Sequence, residues 1–304
     1  MFRPWRSFPT MVASGLVVGF ATGGFPAYSK EISQLALVLG MTFSLTEISI
    51  AGISPRAELR RFLIAFAMSY VVLSGLILTF AILSPDPQIR NGWVLMAAVP
   101  PAIAVVPITS ILKGDTRRSL VSLALLYVLG LGLVPALTLV FTNQTAPFEE
   151  LVVQTILLIG VPLVASRFLR RWPRIVDLRG SAVSISFFFL VVAIAGSTRA
   201  PLLAHPELIA TLAVLSFGRT FLLGGLVFVL TRALHVPWAE RVAVTAFSSF
   251  KNLGLTVVLA FAVFGPVATL PSIVSLVFEI LWLGALPLLF RGDLVKDAAP
   301  ARRW

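Results

Sequence analysis

The sequence predicts an all-α integral membrane protein of ten transmembrane helices, arranged as two inverted repeats of five. Three observations carry that reading. Of 304 residues, 58% are hydrophobic and only 12% charged, with a mean hydropathy of +0.98, more apolar matter than a soluble core of this length needs. Ten apolar runs lie between charged or turn-rich breaks, each near the roughly 20 residues that cross a bilayer core as a helix. The basic residues cluster in alternate connections.

The first run, 10–28, follows Arg3 and Arg6 and so superficially resembles a secretory signal. The topology works with the segment retained. Its Gly15, Gly19 and Gly23 recur every four residues, a smooth face for close packing inside the protein. The second and third runs span 32–50 and 62–83. The fourth, 93–112, contains Pro100, Pro101 and Pro107, which interrupt the backbone hydrogen-bond ladder. The fifth spans 119–142. Its Gly130 and Gly132 follow no strand, so a nucleotide-binding reading fails.

The stretch NQTAPFEE at 143–150 divides the chain into repeats at 1–142 and 151–304, within a single membrane domain. Because five is odd, the second half enters the bilayer from the opposite side. Its runs span 151–166, 181–198, 208–231, 242–264 and 268–290. In the ninth, Ser248, Ser249, Asn252 and Gly254 weaken the helix near its middle. Two interrupted helices at matching places, the fourth and the ninth, point to a transport site at the membrane midplane. The longest connection is the basic stretch 167–180, too short for a soluble domain. The alternating ten-residue segments of an outer-membrane barrel are absent.

A net charge of +11 could suggest nucleic acid, but its placement argues for a bilayer instead. Of 24 Lys and Arg residues, 19 fall at the termini and in the even-numbered connections, whereas the other side carries Lys30, Arg90 and Arg199. By the positive-inside rule both termini are cytoplasmic and the protein sits in the cytoplasmic membrane. There is no cysteine, which removes disulfides, thiolate metal sites and cysteine nucleophiles. No metal or cofactor is expected. The sequon at Asn143 says nothing about function. His205 and His235 have no acidic or hydroxyl partners at a useful spacing, and no HExxH or Ser/His/Asp grouping occurs at membrane depth. The chain is not expected to be an enzyme.

Three ionisable residues lie deep inside spans: Arg219, Lys251 and Glu279. A lysine or arginine at a helix centre costs about 2.5–3.5 kcal/mol on insertion scales, too much for decoration. Glu279 is the acid available as counter-charge to either base. One base then stays unpaired, and surplus positive charge suits an anionic substrate. The bland alternative is an ion pair that clamps the last three helices.

LGMTFSLTEI at 39–48, VPP at 99–101 with Lys113, Gly114 and Asp115, FSSFKNLGLT at 247–256 and GPVATLPSIVSL at 265–276 resemble motifs of the bile acid:sodium symporter family. The likeness runs from about residue 35 to 285 and extends to the superfamily that includes the arsenite exporters. It implies panel and core domains, the core crossed by the two broken helices. It also implies sodium ligands, and here the chain departs. The places of the ninth-span glutamate and glutamine hold Phe247 and Lys251, those of a fourth-span serine and asparagine hold Val105 and Val106, and the third span has no glutamine. The fifth span offers leucines and Tyr127 where hydroxyl ligands are expected. The cysteine of the arsenite branch, aligned near Pro101, is missing as well.

A fixed ammonium would repel sodium from such a site. Lys251 therefore reads as a built-in replacement for the ion. Either its titration couples transport to protons, or Glu279 pairs with it and the protein works without ion coupling. The expected function is secondary transport of a small organic anion by alternating access, with Lys251, Asn252, Ser248, Ser249, Thr109 and Arg219 binding substrate. The alternatives are a sodium-independent exporter of weak acids and a membrane module that binds without transporting.

Overall fold

The computed structural model describes residues 7–47, 55–142, 147–204 and 206–298. Arg3, Arg6, the sequon at Asn143, His205, Arg302 and Arg303 lie outside them. Every regular element among the described residues is helical. Helix α1 is Phe8–Thr22 and α2 is Ser29–Leu45. Helix α3 runs Pro55–Phe66, passes through a π-helical segment Ala67–Leu73 and continues as Ser74–Leu83. Then follow α4 (Pro87–Ala98), α5 (Val105–Ile111) and α6 (Thr116–Phe141). Helix α7 joins Phe148–Thr155 to Val161–Leu169 through π-helical Ile156–Gly160, and α8 is Ile175–Ala204. Helix α9 joins Pro206–Phe217 to Leu223–Ala233 through π-helical Gly218–Leu222. The chain ends with α10 (Trp238–Phe247), α11 (Leu253–Phe264) and α12 (Leu270–Ala298).

Among the described residues, six stretches are long and apolar enough to cross a membrane: Glu58–Leu83, Thr116–Phe141, Phe148–Leu169, Ile175–Ala204, Pro206–Ala233 and Val267–Phe290. Thr10–Thr22 and Leu253–Phe264 are shorter apolar helices.

Several boundaries depart from those expected, each for a local reason. Helix α4 starts six residues before the expected 93, because Asp86 caps it with Pro87 at the first helical position. The Asp86 carboxylate accepts from the Gln88 and Ile89 amides at 2.7 and 3.0 Å, and proline there gives up a donor the helix does not use. Asp115 caps α6 likewise, accepting from the Arg118 amide at 3.2 Å. The expected basic loop 167–180 is mostly helix, since α7 runs to Leu169 and α8 begins at Ile175.

The helices pack in two sets. Helices α1 and α2 both lie along α8, and α2 also meets α7. In the second set α3 packs on α4 and α6, α4 on α6, α11 and α12, and α9 on α12. Helix α11 touches α2 and α8, joining the sets.

The glycine stripe of α1 serves the internal packing expected of it. A Cβ on Gly15 would stand 2.9 Å from the Phe188 carbonyl oxygen, and one on Gly19 would stand 2.8 Å from that of Val192. Backbone therefore meets backbone where α1 lies on α8. Gly23 differs: it ends α1 in the left-handed conformation at φ 81° with open space around it.

Gly19→Leu should overpack the α1–α8 seam and destabilise the protein by about 1–3 kcal/mol. Gly132→Ala, at a position with open space around it, should leave the midpoint unchanged or higher. Thermal unfolding of the two variants in detergent checks the contrast.

Candidate functional site

Two helix ends meet where the sequence places its prolines and serines. Pro100 lacks an amide and forces the residue before it out of helical geometry. Val99 accordingly has φ −69° and ψ 154°, and α4 stops at Ala98. The chain re-enters α5 at Val105, with Pro107 in the first turn, where a missing amide costs nothing. Pro100 and Pro101 thus form the interruption, and Pro107 lies just inside the next helix.

Helix α10 ends through side-chain competition for its backbone. Ser248 and Ser249 both donate to the Thr245 carbonyl, at 3.0 and 2.7 Å. Asn252 then starts α11, its Oδ1 accepting from the Leu255 amide at 3.0 Å. Gly254 sits inside α11, where a Cβ would come within 2.9 Å of the Phe187 ring. Its role is close approach to α8.

The two interruptions touch directly. The Asn252 amide donates to the Pro100 carbonyl at 3.0 Å. Lys251, fully buried, extends its ammonium to the end of α4, donating to the Ala97 and Val99 carbonyls at 3.0 and 2.9 Å. The ring of Tyr70, in the π segment of α3, lies below it with Nζ 4.3 Å from the centroid. A helix C-terminus has orphan carbonyls and carries partial negative charge, so this is where a buried cation is held best. Ser74 completes the arrangement: its hydroxyl donates to the Ala97 carbonyl at 2.6 Å and lies 2.9 Å from that of Ser69. Both lone pairs of the Ala97 oxygen are then in use.

Glu279 pairs with Arg219. An Arg219 Nη2 donates to Glu279 Oε1 at 2.7 Å, with both side chains nearly free of solvent. Arg219 Nε reaches Ser275 Oγ at 3.3 Å, and that hydroxyl lies 2.8 Å from Ser216 Oγ. The same Glu279 oxygen accepts the backbone amide of Lys251 at 3.1 Å. Glu279 therefore positions the main chain of Lys251 while the ammonium points to carbonyls instead. The three groups carry a net charge of +1 at full ionisation, and Arg219 Nη1 has no hydrogen-bond partner among the described residues.

The expected site residues divide by what their side chains touch. Lys251, Asn252, Arg219 and Glu279 share one network with the Pro100 carbonyl. Asn252 also donates to the Tyr127 hydroxyl at 2.6 Å, which joins α6 to the crossing. Ser248 and Ser249 are fully buried, and the bonds they donate stay within α10. Thr109, also fully buried, donates back to Val105 at 2.7 Å and packs near Gly114. Its contacts are with its own helix and the α5–α6 turn. Sequence reasoning missed Tyr70, Ser74, Ser216 and Ser275, along with the Ala97 and Val99 carbonyls. One signal was present for Tyr70: of three tyrosines, it and Tyr127 fall well inside apolar runs, whereas Tyr28 stands at the edge of one. Among the described residues no three of His, Asp and Glu converge as metal ligands. The Ala97 and Val99 carbonyls, which could hold a cation, accept from the Lys251 ammonium.

A family model for the SBF-like CPA transporter family matches residues 22–286. No curated protein matches the chain.

Glu279→Gln should strand the Arg219 guanidinium in a dry interior and cost about 3–5 kcal/mol, whereas replacing both partners by methionine should recover part of that loss, the remainder reflecting the Lys251 amide left without its acceptor. Thermal unfolding of the single and double variants measures both. Equal destabilisation by the two would contradict the pairing.

Proposed function

We propose, from the premise that this chain belongs to the SBF-like CPA transporter family, that it carries a small organic anion across the cytoplasmic membrane as a secondary transporter. The family lies within the bile acid:sodium symporter/CPA superfamily and makes the chain a multi-pass membrane transporter. The finer reading is ten spans in two inverted sets of five, working by alternating access without sodium, with both termini cytoplasmic. Three features support this arrangement. The chain is interrupted after α4 and again after α10, in the fourth and ninth expected spans. The third and eighth expected spans each contain a π-helical segment, Ala67–Leu73 and Gly218–Leu222. The helices also fall into two packed sets, with α1, α2, α7 and α8 in one.

The observation that carries the mechanism is the Lys251 ammonium on the Ala97 and Val99 carbonyls. In transporters with broken helices, carbonyls at half-helix ends are the groups that take a coupling cation. Lys251 fills that position covalently, so the binding energy that sodium would supply is present without it. The charge is then permanent or set by protonation, and a proton is the one ion this site can still exchange. The net positive charge of Lys251, Arg219 and Glu279 favours an anionic substrate. The Arg219 Nη1 group, buried and without a hydrogen-bond partner among the described residues, supplies a donor for it. In this reading Ser248, Ser249 and Thr109 shape the backbone around the site and become available to substrate only when the two helix sets move.

The test is uptake into proteoliposomes, using an organic acid first selected by its stabilisation of the purified protein against heat. Wild-type uptake should be indifferent to sodium. Lys251→Gln should lower it about tenfold or more, since a charge-assisted hydrogen bond contributes about 1.5–3 kcal/mol, with partial recovery in sodium. Unaltered, sodium-indifferent uptake by that variant would refute the replacement of the ion. A wild-type protein that carries no anion under any gradient would mark a binding module instead.

A further inference from the structure

Helices α6 and α7 belong to different packed sets, and they touch along only part of their length. Helix α6 packs against the Phe148–Gly160 portion of α7. Towards Leu169 a cleft of about 440 Å³ opens between them, lined by Ala124, Leu125 and Val128 of α6 and by Leu163, Val164, Arg167 and Phe168 of α7. Ligand sites commonly have volumes of about 300–1,000 Å³. Val128, Val164 and Phe168 are exposed, which in a membrane-spanning chain places them against acyl chains.

The chemistry of the lining is uneven in one direction. Six of the seven residues are apolar, and the single charged one, Arg167, lies near the end of α7. A second cation stands at the same end, because the Arg171 guanidinium lies over the Phe168 ring, 5.7 Å from its centroid. An apolar groove that opens to lipid and ends in two guanidiniums complements an amphiphile with an anionic head. Guanidinium pairs with phosphate in a fixed, forked geometry that lysine does not reproduce. Basic recesses between membrane helices are the usual recognition sites for anionic lipid headgroups.

We infer that this cleft binds an anionic phospholipid, with an acyl chain along Ala124, Leu125, Val128, Leu163 and Val164 and the phosphate against Arg167 and Arg171. The site is separate from Lys251 and needs only that the chain be embedded in a bilayer. A lipid seated there bridges the two helix sets.

Native mass spectrometry of the purified protein, with phosphatidylglycerol and phosphatidylcholine of matched acyl chains, tests it. Phosphatidylglycerol should be retained preferentially. Arg167→Gln with Arg171→Gln should weaken that retention about thirtyfold, roughly fivefold for each cation removed, while leaving phosphatidylcholine unchanged. Arg167→Lys with Arg171→Lys should keep the part of the preference that charge supplies and lose the part that the forked pairing supplies, falling between the wild type and the glutamine variant. Val128→Trp, on an exposed face, should displace the acyl chain and lower retention with both arginines in place. Equal retention of the two lipids by the wild type, or phosphatidylglycerol retention unmoved by both the glutamine and the tryptophan variants, would overturn the inference.

Discussion

A buried helix end and a buried cation are each costly alone, and this protein places one against the other. The Met96 and Ala97 carbonyls near the end of α4 lack the amides that would continue the helix ladder, because Pro100 and Pro101 stand four residues on. Lys251 is fully buried, its ammonium out of contact with bulk solvent. Its two bonds to Ala97 and Val99 answer both needs at once. The meeting of the two interruptions depends on this contact, for without it the crossing would hold unsatisfied oxygens on one side and an unsolvated charge on the other.

The surrounding groups make sense as supports for that contact. Glu279 does not neutralise the ammonium; it pairs with Arg219 and holds the Lys251 amide. Asn252 caps α11 with one side-chain atom and reaches Tyr127 with another, while its amide secures Pro100. Tyr70 closes the remaining face of the ammonium with a ring. Each contact comes from a different helix, so the position of Lys251 reports how α3, α4, α6, α9 and α12 are arranged together. A movement of one helix set against the other would have to preserve this network or exchange its partners.

Much of the site was legible because burial of charge is expensive. Arg219, Lys251 and Glu279 stood out as ionisable groups within apolar runs, and the two interruptions stood out because proline removes donors and serine competes for carbonyls. The pairing was open, since Glu279 could face either base and spacing along the chain does not choose between helices. The sequence offers the hydroxyls of Ser248, Ser249 and Thr109 to a substrate, yet in the structure they bond back to the turn that precedes them. That preference is local, but it becomes decisive only when no other partner is near. Tyr70 went unnoticed because an aromatic side chain in an apolar run looks like ordinary packing until a cation lies over it.

Composition and pattern by themselves determined that this chain is helical and lives in a membrane, where its apolar runs lie, and that α1 carries a smooth glycine face for close packing. These follow from hydropathy, proline geometry and the absence of a side chain, and each acts within a few residues. The tertiary structure alone decided that Glu279 belongs to Arg219 and that Lys251 belongs to the end of α4. It also decided that α6 and α7 part to leave an apolar cleft beneath two arginines. Those outcomes depend on which oxygen or which ring stands within about 3–4 Å of a group, and that distance is set by helices far apart in the chain.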